Sequence, residues 1–108
     1  QDNASEVADK IATEEELKTF KLESELQIKK NEVSIAELNL KMNKPGIKKD
    51  EVYANKIDTL EVKNENLKAR MNNYEKTQRD WNKFKKEFKG DMEELGKAIN
   101  DLATKEND

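Results

Sequence analysis

From Tyr53 to Leu102, apolar and aromatic residues recur at alternating steps of four and three: Tyr53, Ile57, Leu60, Asn64, Leu67, Met71, Tyr74, Gln78, Trp81, Lys85, Phe88, Met92, Leu95, Ile99 and Leu102. Only Asn64, Gln78 and Lys85 interrupt the series with polar side chains. A phase held this long is the pattern of a helix that keeps one edge against a partner helix. It predicts a coiled coil whose second helix covers about residues 50–104.

The first half of the chain is also helix-forming, with apolar residues on two faces rather than one. Asn3 to Glu6 and Thr13 to Glu16 both have the capping-box pattern, so helix one is expected from about residue 4, firming after Thr13, and to run to about residue 44. Lys44-Pro45-Gly46 ends it, because proline disfavours helical geometry in the residue before it and glycine accepts a sharp turn. The turn is expected over residues 45–49, with Asp50 as the N-cap of helix two and Glu51 in its first turn. Leu17, Phe20, Ile28, Ile35, Leu38 and Met42 make one stripe of helix one, which should face helix two. Leu22, Leu26, Val33 and Leu40 make a second stripe on roughly the opposite side, which is either scattered surface leucine or the seat of a second chain.

A short turn at Pro45-Gly46 makes the two helices antiparallel and sets Ile35 by Ile57, Leu38 by Tyr53, Phe20 by Met71 and Leu17 by Tyr74. Charge supports that orientation, since the acidic start (Asp2, Glu6, Asp9, Glu14, Glu15, Glu16) would lie along Lys76, Arg79, Lys83, Lys85, Lys86 and Lys89. At 1.5 Å per residue, helix one spans about 60 Å and helix two about 80 Å, so Met92, Leu95, Ile99 and Leu102 overhang their partner. An apolar edge of that length is normally covered. Either helix two continues through Gly90 and the overhang meets another chain, or the chain turns at Gly90 and Asp91, with Glu94, caps a third helix. The expected fold is therefore all-α and a single domain over residues 1–108: an antiparallel two-helix coiled-coil hairpin with a long continuous second helix or, alternatively, a three-helix bundle with a turn at Gly90.

Composition narrows the chemistry. Of the 108 residues, 33% are hydrophobic and 42% charged, which suits elongated helices that each bury a narrow stripe. Cysteine and histidine are both absent, which removes thiolate chemistry, the commonest metal ligand and the usual general base at neutral pH. Gly46, Gly90 and Gly96 stand alone, so no glycine-rich phosphate loop exists. Carboxylates at Glu14 to Glu16 diverge around a helix instead of converging on a cation. No catalytic residue, metal ligand or cofactor is expected, and the chain reads as a non-enzyme. Its net charge of -3, with both signs interspersed, argues against nucleic acid as a partner, and no apolar run is long enough to span a bilayer. The chain opens on Gln1 and not on methionine, which favours an exported or envelope-facing protein over a cytoplasmic one.

Trp81, Phe84 and Phe88 form the most distinctive cluster, either a plug where helices meet or a stacking platform for an apolar ligand. Phe84 is expected to cover the gap left at the seam by Lys85. Asn64 and Gln78 at seam positions read as residues that specify alignment or oligomer state. The run from Trp81 to Gly96, W-x2-F-x3-F-x2-D-M-x2-L-G, resembles the C-terminal motif of small uncharacterised bacterial coiled-coil proteins, some loosely grouped with stress-response proteins. That resemblance implies a helical, non-enzymatic bacterial protein and carries no catalytic residue. Two functions follow as expectations. One is a structural or interaction module that self-associates, most simply as a dimer; the other is a holdase chaperone or lipid-binding protein that clamps apolar clients. The surface for either is drawn from Leu22, Leu26, Val33, Leu40, Trp81, Phe84, Phe88, Met92, Leu95, Ile99 and Leu102.

Overall fold

The computed structural model describes residues 13–43, 51–77 and 79–106, and all of the regular structure among them is helical. Three helices follow in order: α1 (Glu14–Met42), α2 (Glu51–Thr77) and α3 (Trp81–Glu106). Helix α1 opens with the predicted capping box. The Thr13 hydroxyl accepts from the Glu16 N–H at 3.1 Å, and the Thr13 N–H donates to Glu16 Oε1 at 3.1 Å. Two of the N–H groups that no helix can satisfy internally are thereby paired, and the three glutamates of the first turn complement the helix dipole. The helix closes at Asn43, whose backbone N–H and side-chain amide both donate to the Asn39 carbonyl, at 3.1 and 2.9 Å. The N-terminal part of the expected first helix, its Asn3 cap, the turn at Pro45-Gly46, the Asp50 cap and Gln78 lie outside the described residues.

Helices α1 and α2 are antiparallel neighbours, displaced from the expected register by about one turn. Asn31 meets Asn64 and Lys21 meets Glu75, so each residue of α1 faces one a few positions further along α2 than a turn centred on Pro45-Gly46 would set.

The long, continuous second helix is corrected. A helix ends at Thr77 and a new one starts at Trp81, so the bundle has three helices, but the reversal is not at Gly90. Gly90 sits exposed inside α3, and Asp91 caps nothing; its carboxylate meets Arg70 of α2 at 2.6 Å. The reversal runs through Asp80, which takes the left-handed conformation (φ 52°) and whose carbonyl accepts from the Phe84 N–H at 2.9 Å as α3 begins. Aspartate is among the few residues that tolerate this conformation. Energetics favour the turn, because a straight helix would leave Leu95, Ile99 and Leu102 in water. Folded back, all three are buried, at about 1.5–3 kcal/mol per side chain. Two polar seam positions on either side of Trp81, Gln78 and Lys85, are the trace of this break in the sequence.

With α3 antiparallel to α2 it runs parallel to α1 and lies in the groove the first two helices form. The seam also changes phase after Trp81. The core positions of α3 are Trp81, Phe84, Phe88, Met92, Leu95, Ile99 and Leu102, so Phe84 replaces Lys85 at the second of them. Lys85 is left at the edge, with its Nζ 5.3 Å from the centre of the Trp81 ring.

The core falls into three zones. At one end Phe20, Tyr74, Trp81, Phe84 and Phe88 bring rings from all three helices together. Phe20 meets Trp81 edge-on at 5.2 Å and 83°, and Tyr74 stacks on Phe84 at 4.0 Å and 12°. The other end is aliphatic, with Leu38 bordering one groove beside Ile99 and Leu60 another beside Leu102. Between them lies an amide layer. Asn31 Nδ2 donates to Asn64 Oδ1 (3.1 Å) and contacts Met92 Sδ (3.5 Å); Asn64 Nδ2 donates to the Ile28 carbonyl (3.1 Å); Gln27 Nε2 donates to Asn31 Oδ1 (3.1 Å). One polar layer thus touches all three helices. Asn64 is where the heptad pattern put it, whereas Asn31 fills a gap between Ile28 and Ile35 that apolar periodicity alone passes over.

Candidate interaction surface

The eleven candidate surface residues divide into two groups with opposite surroundings. Trp81, Phe88, Leu95, Ile99 and Leu102 are buried within the chain, and Phe84 and Met92 are half-buried against the same core. What covers the C-terminal apolar edge is therefore this chain's own α1 and α2. Leu22, Leu26, Val33 and Leu40 are 54%, 65%, 61% and 69% exposed. These four remain on one open face of α1, directed away from the other two helices.

Two further residues complete that face. Lys29 and Ala36 are exposed and fall between the four apolar positions, so Leu22, Leu26, Lys29, Val33, Ala36 and Leu40 follow each other at steps of four, three, four, three and four. This is a second heptad seam on a helix whose first seam is already occupied. The alternation was present in the residues, but Lys29 and Ala36 carry little hydrophobic signal and are visible as seam positions only once the first stripe is known to be buried. Glu25, Glu32 and Asn39 flank the seam on the side of α2, where Asn39 Nδ2 donates to Glu61 Oε1 at 3.1 Å. Glu23, Lys30 and Glu37 flank it on the side of α3, where Lys30 and Glu37 border the same groove as Gly96 and Ile99. Beside Leu22 and Leu26 the surface deepens into an open groove of about 440 Å³, which also reaches Ile28, Met71 and Lys68. Val52 and Val62, the other large exposed apolar residues, stand singly on α2.

The aromatic end is closed by charge as well as by rings. Arg70 lies 5.7 Å from the centre of the Phe88 ring and Lys89 lies 5.9 Å from that of Phe20. Of the expected match between acidic start and basic cluster, Glu15 and Glu16 line one shallow groove with Lys85 and Lys89, but those lysines belong to α3, which runs parallel to α1, and not to an antiparallel continuation of α2. Asp2, Glu6 and Asp9 lie outside the described residues. The Glu16 carboxylate is held below the ordinary glutamate range, first by the Thr13 backbone N–H and then by its hydroxyl, with smaller help from Lys85 and the polarity of the Trp81 indole. The indole N–H is buried without a hydrogen-bond acceptor. Lys21 is raised chiefly by its hydrogen bond to Glu75, at 3.0 Å. Burial, reinforced by Asp80, pushes the Tyr74 hydroxyl up.

Among the described residues no group of three or more acidic, histidine or cysteine side chains is placed to hold a metal ion, and no helix is long and apolar enough to cross a membrane. No protein-family model, curated protein or solved structure matches this chain.

Proposed function

We propose that this protein is a non-enzymatic helical interaction module that self-associates through the outer face of α1. The observation that carries the reading is the contrast between the two stripes of that helix: one is buried by α2 and α3, and the other leaves four aliphatic side chains more than half exposed. Isolated surface leucines need no explanation, but a file of them in heptad phase is what helix association uses. The resemblance of the Trp81 to Gly96 run to small bacterial coiled-coil proteins belongs to the same proposal and points the same way.

A holdase or lipid clamp built on Trp81 to Leu102 would need that segment available to clients. Trp81 is 3% exposed and Leu95 2%, so the clamp would have to open the bundle first, at the cost of its core. The apolar material already at the surface is that of α1, which favours the interaction module.

Sedimentation equilibrium across 1–100 μM, paired with circular dichroism, tests the proposal. The expected result is a concentration-dependent dimer that Leu26→Asp converts to a monomer of unchanged helicity. A wild-type monomer throughout that range refutes it. Leu95→Asp serves as the contrast, because it strikes the core and is expected to lower helicity itself.

A further inference from the structure

We infer that the occupant of the outer α1 seam is the α1 helix of a second copy, lying parallel and in register, with Lys18 and Glu25 of each copy set against Glu23 and Lys30 of the other. The inference rests on the self-association proposed above and adds its orientation and partner contacts. It comes from the charges that border the seam. In a parallel two-stranded pair, the residue just before the first of the two seam positions in each heptad, here Thr19, which extends the seam one step toward the N-terminus, Leu26 and Val33, faces the residue five further along on its partner. Here that rule brings Lys18 to Glu23 and Glu25 to Lys30, each twice by symmetry, and every one of these side chains is exposed. The rule also sets Glu32 against Glu37, again twice, the one like-charged pairing among these flanking contacts.

The antiparallel arrangement of the same two faces fares worse at every flank. Matching Leu22 to Leu40 and Leu26 to Ala36 places Glu32 against Glu32, Lys30 against Lys30 and Glu23 against Glu37, leaving no attractive pair. Individual surface pairs are weak, and the antiparallel pair would set Lys29 against Val33 instead of against its own copy, but the sign pattern along both flanks favours the parallel orientation. Symmetry further requires each seam residue to meet its own copy in the parallel pair. Two lysines at the Lys29 layer can lay their aliphatic stems along the seam and carry their amines to solvent. A single polar layer of this kind weakens a coiled coil while disfavouring shifted registers. The association is accordingly reversible and set at one alignment.

Because the chain contains no cysteine, a single introduced thiol reports the arrangement directly. Ala36→Cys in the full-length chain is expected to oxidise to a covalent dimer near 10 μM. An equimolar mixture of Leu22→Cys and Leu40→Cys is expected to give the two homodimers and little of the mixed species. Predominance of the mixed disulfide, or failure of Ala36→Cys to cross-link in a chain that still sediments as a dimer, overturns the parallel arrangement and leaves self-association standing. A wild-type monomer overturns both. Glu32→Lys provides a second readout: in the parallel pair it turns both like-charged contacts attractive and should tighten the dimer about 5- to 10-fold at low salt. In the antiparallel pair it replaces one like-charged contact by another, so an unchanged or weaker dimer also overturns the inference.

Discussion

The sharpest test of how this bundle holds its register is removal of the amide layer at its centre. Replacing Asn64 by leucine deletes two hydrogen bonds, one from Asn31 Nδ2 and one to the Ile28 carbonyl, each 3.1 Å long. A typical bond contributes about 1 kcal/mol net. The losses differ in consequence. The Ile28 carbonyl belongs to α1 and keeps its place in the helical ladder, whereas Asn31 is 3% exposed and its amide N–H is left with Met92 Sδ, a weak acceptor at 3.5 Å. A buried donor without a proper partner costs about 1–3 kcal/mol. The expected destabilisation of Asn64→Leu is therefore about 2–3 kcal/mol, reduced somewhat by the apolar surface that leucine buries. Asn31→Leu should be similar, since it strands Asn64 and the Gln27 amide donor.

The double variant is the informative one. With both amides replaced by leucine, neither asparagine leaves the other orphaned, and the half-exposed Gln27 amide can turn to solvent; the double variant should be near wild-type stability or above it. With single losses of about 2 kcal/mol each at the low end, the coupling between the sites should thus be about 4 kcal/mol. Urea unfolding followed at 222 nm supplies the three free energies. The double variant should lose uniqueness in exchange, seen as broadened amide resonances or as mixed association states, because an all-apolar layer no longer penalises a one-turn slip of one helix along another. Additivity of the two single effects within about 0.5 kcal/mol, or an Asn64→Leu chain as stable as the wild type, would refute the claim that these amides depend on each other.

Gly90 sits exposed inside α3 with nothing within 4 Å of an added Cβ, so Gly90→Ala should raise stability by about 0.5–1 kcal/mol in chemical denaturation; a loss would mean that the chain turns there. Glu16 is depressed in the folded chain, so its contribution is present above the ordinary glutamate pKa of about 4.3 and is lost as the pH falls through the lower folded value. Comparison of melting temperatures for Glu16→Ala and wild type should accordingly show a difference at pH 6 that shrinks toward pH 3, and a difference that grows on acidification would contradict the sign.

Much of this protein is local in origin and was readable from the residues. The Thr13 capping box joins groups three residues apart, so nothing distant is needed to predict it. Heptad spacing from Ile57 to Tyr74 settles which edge of α2 is buried, because a helix fixes which side chains share a face. The two stripes of α1 were equally legible, and the hairpin pairing set the Leu17 to Met42 stripe toward helix two; that a third helix of the same chain shares that stripe was not. The position of the third helix was not local. Gly90 is the residue that propensity selects as a breaker, yet it lies within a helix, while the turn falls at Asp80, a residue with no strong signal of its own. The choice depends on total buried area: turning near Asp80 brings Phe84, Phe88, Leu95, Ile99 and Leu102 onto α1 and α2 together, whereas turning at Gly90 would leave the aromatic end unpaired with Phe20. The sequence suggested only that Phe84 covers the gap beside Lys85; that Phe84 takes the core position follows from its meeting with Phe20 and Tyr74, which selects the ring. The sequence by itself determined that the chain is helical, where α1 starts and which edges are apolar, all consequences of steric and hydrogen-bonding rules acting within a few residues. Only the tertiary structure decided which apolar edges face each other and which one faces water, because burial is shared among three helices and no single helix contains the information.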